Sequence, residues 1–168
     1  IYSIEGLLAS MGKLQDSFAI KGEEFKNVLK IGRTQLQDAV PMTLGQEFTA
    51  YSVTVAEDIE RLKEATRLIH EINMGATAIG TGVNTVEGYV DLVRDNLIKI
   101  TGLALVTSPN LVEATSDAGA FVQLSGVLKR IAVKISEICN DIRLLSSGPR
   151  AGLAEIQLPA MQPGSTIM

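Results

Sequence analysis

An all-α fold, a bundle of long helices with few or no strands, is what the sequence predicts, and three observations predict it. Apolar residues recur at alternating spacings of three and four over three long stretches, which is the period of one helix face. The stretch nearest the C-terminus keeps a strict 3.5-residue repeat from Phe121 to Leu145. The apolar content is aliphatic, since 46% of residues are hydrophobic but only 4% aromatic, with no Trp. Aliphatic stripes at helical spacing suit helices packed on helices.

The first stripe runs Ile4, Leu7, Met11, Leu14 and Phe18, skips a turn at Lys21-Gly22, and resumes at Phe25 and Val28, predicting a helix to about Leu29. GRTQLQDAVP, residues 32–41, then breaks the period with Gly, a polar cluster and Pro, and reads as a loop between helices. Thr43 with Gln46 three residues on forms a capping box, and Leu44, Phe48, Tyr51, Val55, Ile59, Leu62, Ala65, Ile69 and Ile72 trace the next stripe. This stripe predicts a helix of about thirty residues ending near Gly75. GATAIGTGVN, residues 75–84, is glycine-rich and irregular. Thr85 is placed to cap a shorter helix with Val86, Tyr89, Val93, Leu97 and Ile100 inward, stopped by Gly102. Leu103–Val106 is a short apolar run compatible with one extended strand. Ser108-Pro109 restarts a helix with Pro at its first position.

In the last helix Phe121, Leu124, Leu128, Ile131, Ile135, Ile138, Ile142 and Leu145 are spaced 3, 4, 3, 4, 3, 4, 3. That repeat predicts a left-handed supercoiled seam against a long partner helix. A thirty-residue rod is about 45 Å long at about 1.5 Å per residue. Rods of that length expose a second face unless other chains cover it, so an oligomer is expected. After the seam, Gly148-Pro149 stops the helix and opens an aperiodic tail that holds three of the five prolines. Long segments without a period inside a helical chain are more often functional than idle.

The 168 residues are expected to form one domain, and the net charge of −4 without a basic block argues against nucleic acid and anionic membranes as partners. No apolar run reaches the ~18 residues a membrane span needs, so a soluble, cytoplasmic protein is expected. The single Cys139 cannot form an internal disulfide, and beside the heptad stripe it reads as a packed structural thiol. Ile1 is not an initiating Met and the apolar pattern is already running at Ile4, so both ends are expected to be truncations.

Few residues suggest chemistry by type alone. His70, the only histidine, reads as a surface or partly packed residue, and without a second His or Cys ligand no metal and no cofactor is expected. The glycines at 75–82 lack the Lys of a phosphate loop and come after a helix, not a strand. Thr34, Gln35, Gln37 and Asp38 offer hydroxyl, amide and carboxylate groups on one short segment, and turn or capping duties explain them as well as ligand contact does. Ser165, after Gly164, has no histidine partner for a catalytic triad.

Taken in order, GRTQLQDAVPMTLGQEF, INMGATAIGTGVN, EATSD and ICNDIRLLSSGPRAGLAEIQLPAMQPGSTIM resemble successive landmarks of the aspartase/fumarase superfamily, most closely its aspartate ammonia-lyase branch. The resemblance covers nearly all of the chain. It implies homotetramers whose central long-helix domains, here residues 1–168, assemble into a common helical core, with each active site built from loops of three subunits. It also implies an anti elimination in which a base takes a proton from the carbon next to one carboxylate and ammonia, or water in fumarases, leaves from the neighbouring carbon. Aspartate and fumarate are the small dicarboxylates implied as substrate and product.

By this resemblance Ser165 is the catalytic base of a mobile loop within 148–168, and Thr166, Thr34 and Gln35 bind substrate. Proton removal puts a second negative charge on the carboxylate, so preorganised donors aimed at that enediolate must supply most of the catalysis. Loop closure over the substrate excludes water. Gln35 stands where fumarase-like members have His, which removes imidazole proton transfer there and points to the aspartases. The family's Pro-x-Lys-x-Asn continuation would begin after Met168, and the upstream Ser-Ser/Thr-x-Asn loop is missing. Residues 1–168 alone are therefore expected to be inactive.

Overall fold

The computed structural model describes residues 1–161 and 164. Helix α1 covers Tyr2–Glu24 and ends five residues before the Leu29 limit expected from the stripe. The reason lies in how the next carbonyls are used. Phe25 O accepts from both Val28 N and Gly45 N at 3.0 Å, and Val28 O from Leu44 N at 2.8 Å, so after one tight turn the chain bonds to the start of the next helix and does not continue α1.

Where a loop was expected, the chain forms an antiparallel hairpin of β1 (Leu29–Thr34) and β2 (Gln37–Thr43). Gln35 and Leu36 make its two-residue turn with φ of 49° and 63°. Both residues in the left-handed region is the condition of a type I′ hairpin turn, usually met by Asn-Gly. A Gln-Leu pair carries no such signal, which is why the polar cluster reads as irregular from sequence.

Helix α2, Leu44–Leu68, starts on the expected capping box: Gln46 N donates to Thr43 Oγ1 at 3.1 Å and Thr43 N to Gln46 Oε1 at 2.9 Å. Its stripe is buried from Leu44 through Phe48, Tyr51, Val55, Ile59 and Leu62 to Ala65. It packs along α1, whose Ile4 and Met11 are also buried. The two helices cross where Gly22 meets Gly45. A Cβ on Gly45 would sit 2.4 Å from Gly22 O and 2.6 Å from Lys26 Cα, so only glycine permits this approach.

Helix α2 stops about two turns before the expected end, because Glu71–Ile72 is a short strand, β3, paired in parallel with β4, Val106–Thr107. Ser108 N donates to Ile72 O at 3.0 Å and closes this small pair. Between them lies α3, Tyr89–Thr101, stopped by Gly102 as expected. It starts after Gly88, not at Thr85, whose hydroxyl instead donates to Gly82 O at 2.7 Å inside a turn. Helix α4, Leu111–Ser116, is capped by Asn110, which accepts from Val112 N and Glu113 N. Pro109 therefore precedes the cap and does not occupy the first helical position.

Helix α5 covers Gly119–Leu145. Val127, Ile131, Ile138 and Leu145 are its buried apolar residues, while Phe121 and Leu128 of the expected seam are exposed. Cys139 is exposed too, contrary to the expected packed thiol, because the face beside Ile138 points to solvent in the single chain. His70 is half-buried, with Nδ1 2.9 Å from Thr66 O.

The chain divides into two compact units, Ile1–Ile131 and Ala132–Met168. In the second, the tail returns to the end of α5: Glu155 N donates to Leu145 O at 2.9 Å and Ala154 N to Ser147 O at 2.8 Å. No helix among the described residues is long and apolar enough to cross a membrane.

Candidate functional site

The β1–β2 hairpin carries the described half of the predicted site, and aromatic rings pack beneath its root. Three of the four phenylalanines gather there with Tyr51: the Phe25 and Phe48 rings lie 5.5 Å apart, those of Phe18 and Tyr51 5.6 Å, and those of Phe48 and Tyr51 5.7 Å. Edge-on and tilted geometries such as these add to the burial of the rings themselves. In a chain with so few aromatics, their concentration at one hairpin root makes that root a rigid base.

One ion pair links the strand to the helix. Lys30 Nζ lies 2.5 Å from Glu47 Oε2, and the Lys30 side chain is only 8% exposed. Glu47 Oε1 accepts from Tyr51 Oη at 3.1 Å, so both carboxylate oxygens are engaged. Charge-assisted bonds to a nearly dry ammonium hold geometry more strictly than solvated ones.

Above this root the ladder is irregular. Ile31 pairs with Pro41 and Arg33 with Asp38, so Ala39 and Val40 both oppose Gly32. A bulge of this kind bends the strand and re-aims the residues beyond it. Pro41 lacks an N–H, which restricts β2 to an edge position.

Beyond the bulge lies the tip, where Thr34 pairs with Gln37 across the turn. Thr34, Gln35, Leu36, Gln37 and Asp38 are all exposed. Among the described residues the side chains of Thr34, Gln35, Gln37 and Asp38 make no hydrogen bond. The turn is therefore built by left-handed backbone and not by side-chain capping, which leaves a hydroxyl, two carboxamides and a carboxylate uncommitted. Holding two non-glycine residues there costs roughly 1–2 kcal/mol each. Hydroxyl and carboxamide donors in one short arc can grip a carboxylate.

The structure thus places Thr34 and Gln35 side by side on a rigidly rooted tip. Ser165 and Thr166 lie outside the described residues. The other two landmarks also take defined conformations. In residues 72–84, Gly75, Thr77, Gly80, Gly82 and Asn84 all have positive φ. EATSD forms α4 and the Asp117 turn, where Oδ2 accepts from Gly119 N at 2.9 Å. No group of three or more His, Cys, Asp or Glu side chains among the described residues could hold a metal ion.

A family model described as lyase matches residues 2–168. The chain belongs to this lyase family, the aspartase/fumarase superfamily. Aspartate ammonia-lyases of Pseudomonas canavaninivorans and Helicobacter pylori are 61% and 58% identical to it over 165 residues, 98% of the chain. That of Escherichia coli is 54% identical over 166 residues. The chain spans about a third of the length of these relatives, 35% in each case. Among solved structures, a fumarate lyase:delta crystallin from Brucella melitensis bound to cobalt superposes with a TM-score of 0.94 at 54% identity, over 99% of this chain and 36% of that one. A class II fumarase from Schistosoma mansoni gives 0.84 at 37% identity, over 96% and 37%. The mostly helical architecture is thus that of the superfamily's solved members.

Sequence reasoning missed the Lys30–Glu47–Tyr51 network. A signal for it exists: Lys30 interrupts the apolar run Val28, Leu29, Ile31, and a lysine in such a run needs a partner when it is buried.

Proposed function

We propose that the protein at full length is an aspartate ammonia-lyase, reversibly eliminating ammonia from L-aspartate to give fumarate. The observation that carries this reading is the identity of 54–61% to aspartate ammonia-lyases across almost the whole chain. Gln35 on the hairpin tip supports it against the fumarase alternative, because a carboxamide binds a carboxylate but does not relay protons at neutral pH. The resemblance to a class II fumarase is weaker, at 37% identity.

In this reading Thr34 and Gln35 donate to a substrate carboxylate, Ser165 removes the proton from the carbon beside it, and Thr166 binds the carboxylate on which charge develops. Donors fixed before the substrate arrives stabilise the enediolate without reorganising at the moment of reaction. Residues 148–168 form the loop that delivers Ser165, and residues 1–168 belong to the central helical domain. The exposed faces of α5, including Phe121 and Leu128, are covered by other copies in a cytoplasmic homotetramer. Since this chain is a third of its relatives' length, the rest of the site comes from outside it, and residues 1–168 alone are inactive.

Fumarate absorbance followed with aspartate and then malate tests the reading. Turnover of aspartate, abolished by S165A without loss of assembly, is expected. Turnover of malate and not aspartate would establish the fumarase reading instead, and undiminished turnover in S165A would remove the serine from its role.

A further inference from the structure

We infer that Lys30, Glu47 and Tyr51 form a positioning network that sets the angle of the hairpin, and with it the place of Thr34 and Gln35. This deepens the lyase reading and rests on it for its consequence, though not for its geometry. Lys30 stands one residue inside β1, paired with Met42 across the hairpin, and its side chain reaches the first turn of α2. Glu47 cannot swing away freely, because its second oxygen is tied to Tyr51 one turn on. Tyr51 is in turn held by the rings of Phe18 and Phe48. A continuous chain of contacts therefore runs from the aromatic base through one phenol, one carboxylate and one ammonium to a strand whose last residue is Thr34.

Stability alone does not account for this arrangement. Removing a lysine and a glutamate from water costs about as much as their attraction returns, and apolar residues of similar volume are often as stable or more so. What an ion pair provides and an apolar pair does not is direction: it has one length and a narrow range of angles. Hairpin roots packed only by apolar contact can rock. A site that grips a carboxylate with two exposed side chains needs them held within a fraction of an ångström, since small misplacement lowers rate and affinity steeply.

The variants K30M/E47L, Y51F and the exchanged pair K30E/E47K, made in the full-length protein, test this. Amide exchange over residues 31–42, the melting temperature, and KM and kcat for aspartate are measured on each. K30M/E47L is expected to keep the melting temperature while hairpin exchange speeds up about tenfold and KM rises about tenfold, with kcat falling less. Y51F moves both readouts in the same direction by a smaller factor, roughly threefold, and K30E/E47K restores exchange and KM towards wild type. Unchanged hairpin exchange and KM in K30M/E47L would overturn the inference. So would exchange that rises throughout α1 and α2 in step with a lost melting temperature, because the pair would then be a stability element. If the wild type turns over no aspartate, the lyase reading fails by itself, and hairpin exchange still decides whether the network positions the tip.

Discussion

Asp58 Oδ1 on α2 lies 2.9 Å from Arg130 Nε on α5, with the aspartate side chain 2% exposed and the arginine 42%. The pair is asymmetric in solvation, and its two halves should respond differently to mutation. R130M leaves a carboxylate almost out of water without its guanidinium and is expected to cost about 3 kcal/mol. D58N releases an arginine that can rehydrate and keeps the side-chain volume, so about 1 kcal/mol is expected. Urea melts of the two variants check the order, and equal losses would contradict it.

The Gly22–Gly45 crossing is the second place where one atom decides packing. G45A would drive a methyl into the backbone of Gly22 and Lys26, and backbone in a packed helix cannot yield as a flexible side chain does. A loss of about 2–3 kcal/mol is expected. Because Gly45 N and Leu44 N bond to the Phe25 and Val28 carbonyls of the segment between α1 and β1, the change should also loosen the hairpin root. Thermal melting together with amide exchange at residues 25–45 measures both effects, and a G45A melting temperature equal to wild type would refute the close approach.

The Lys63 ammonium bonds to the Glu60 carboxylate at 2.7 Å and holds its pKa below the ordinary glutamate value of 4.5. A carboxyl whose folded pKa is depressed adds stability above its unfolded pKa and loses it as pH falls through the folded one. The contribution is small because Glu60 is at the surface, but the titration itself is readable. In NMR the Glu60 carboxyl should titrate below 4.5 in wild type and move up towards it in K63M. A midpoint that ignores Lys63 would show the pair is not formed in solution.

How much of the fold was legible in the sequence depends on whether the signal was periodic. The α2 stripe from Leu44 to Ala65 and the Thr43–Gln46 box were legible because period and cap agree on one helix. The hairpin was not, because its turn depends on two residues, Gln35 and Leu36, whose types disfavour the left-handed backbone they adopt. The ends of α1 and α2 were overestimated for a related reason: apolar residues such as Phe25, Val28 and Ile72 continue the helical period while serving a hairpin root or a short strand. On α5 the heptad predicts burial, yet Phe121 and Leu128 are exposed, since a repeat specifies which face seeks a partner and not whether one chain supplies it. For the site, the GRTQ segment pointed to Thr34 and Gln35, whereas the network beneath them is long-range and leaves only an interrupted apolar run as its trace.

Leu36 offers the sharpest test of the strained tip. It is 71% exposed, has φ of 63°, and holds the second central position of a two-residue turn that favours glycine. Were folding the only requirement, glycine would serve better there, since it adopts this backbone at no steric cost. L36G should therefore raise stability, by about 0.5–1 kcal/mol once the greater freedom of glycine in the unfolded chain is set against the relief of strain. If the tip grips substrate, the same change should raise KM for aspartate, because a glycine turn samples more conformations beside Gln35. A variant that melts higher and binds more weakly is the expected pair of results from differential scanning calorimetry and steady-state kinetics. A lower melting temperature would show that the Leu36 side chain stabilises the turn despite its backbone, and would move the origin of the left-handed conformation to contacts beyond the tip.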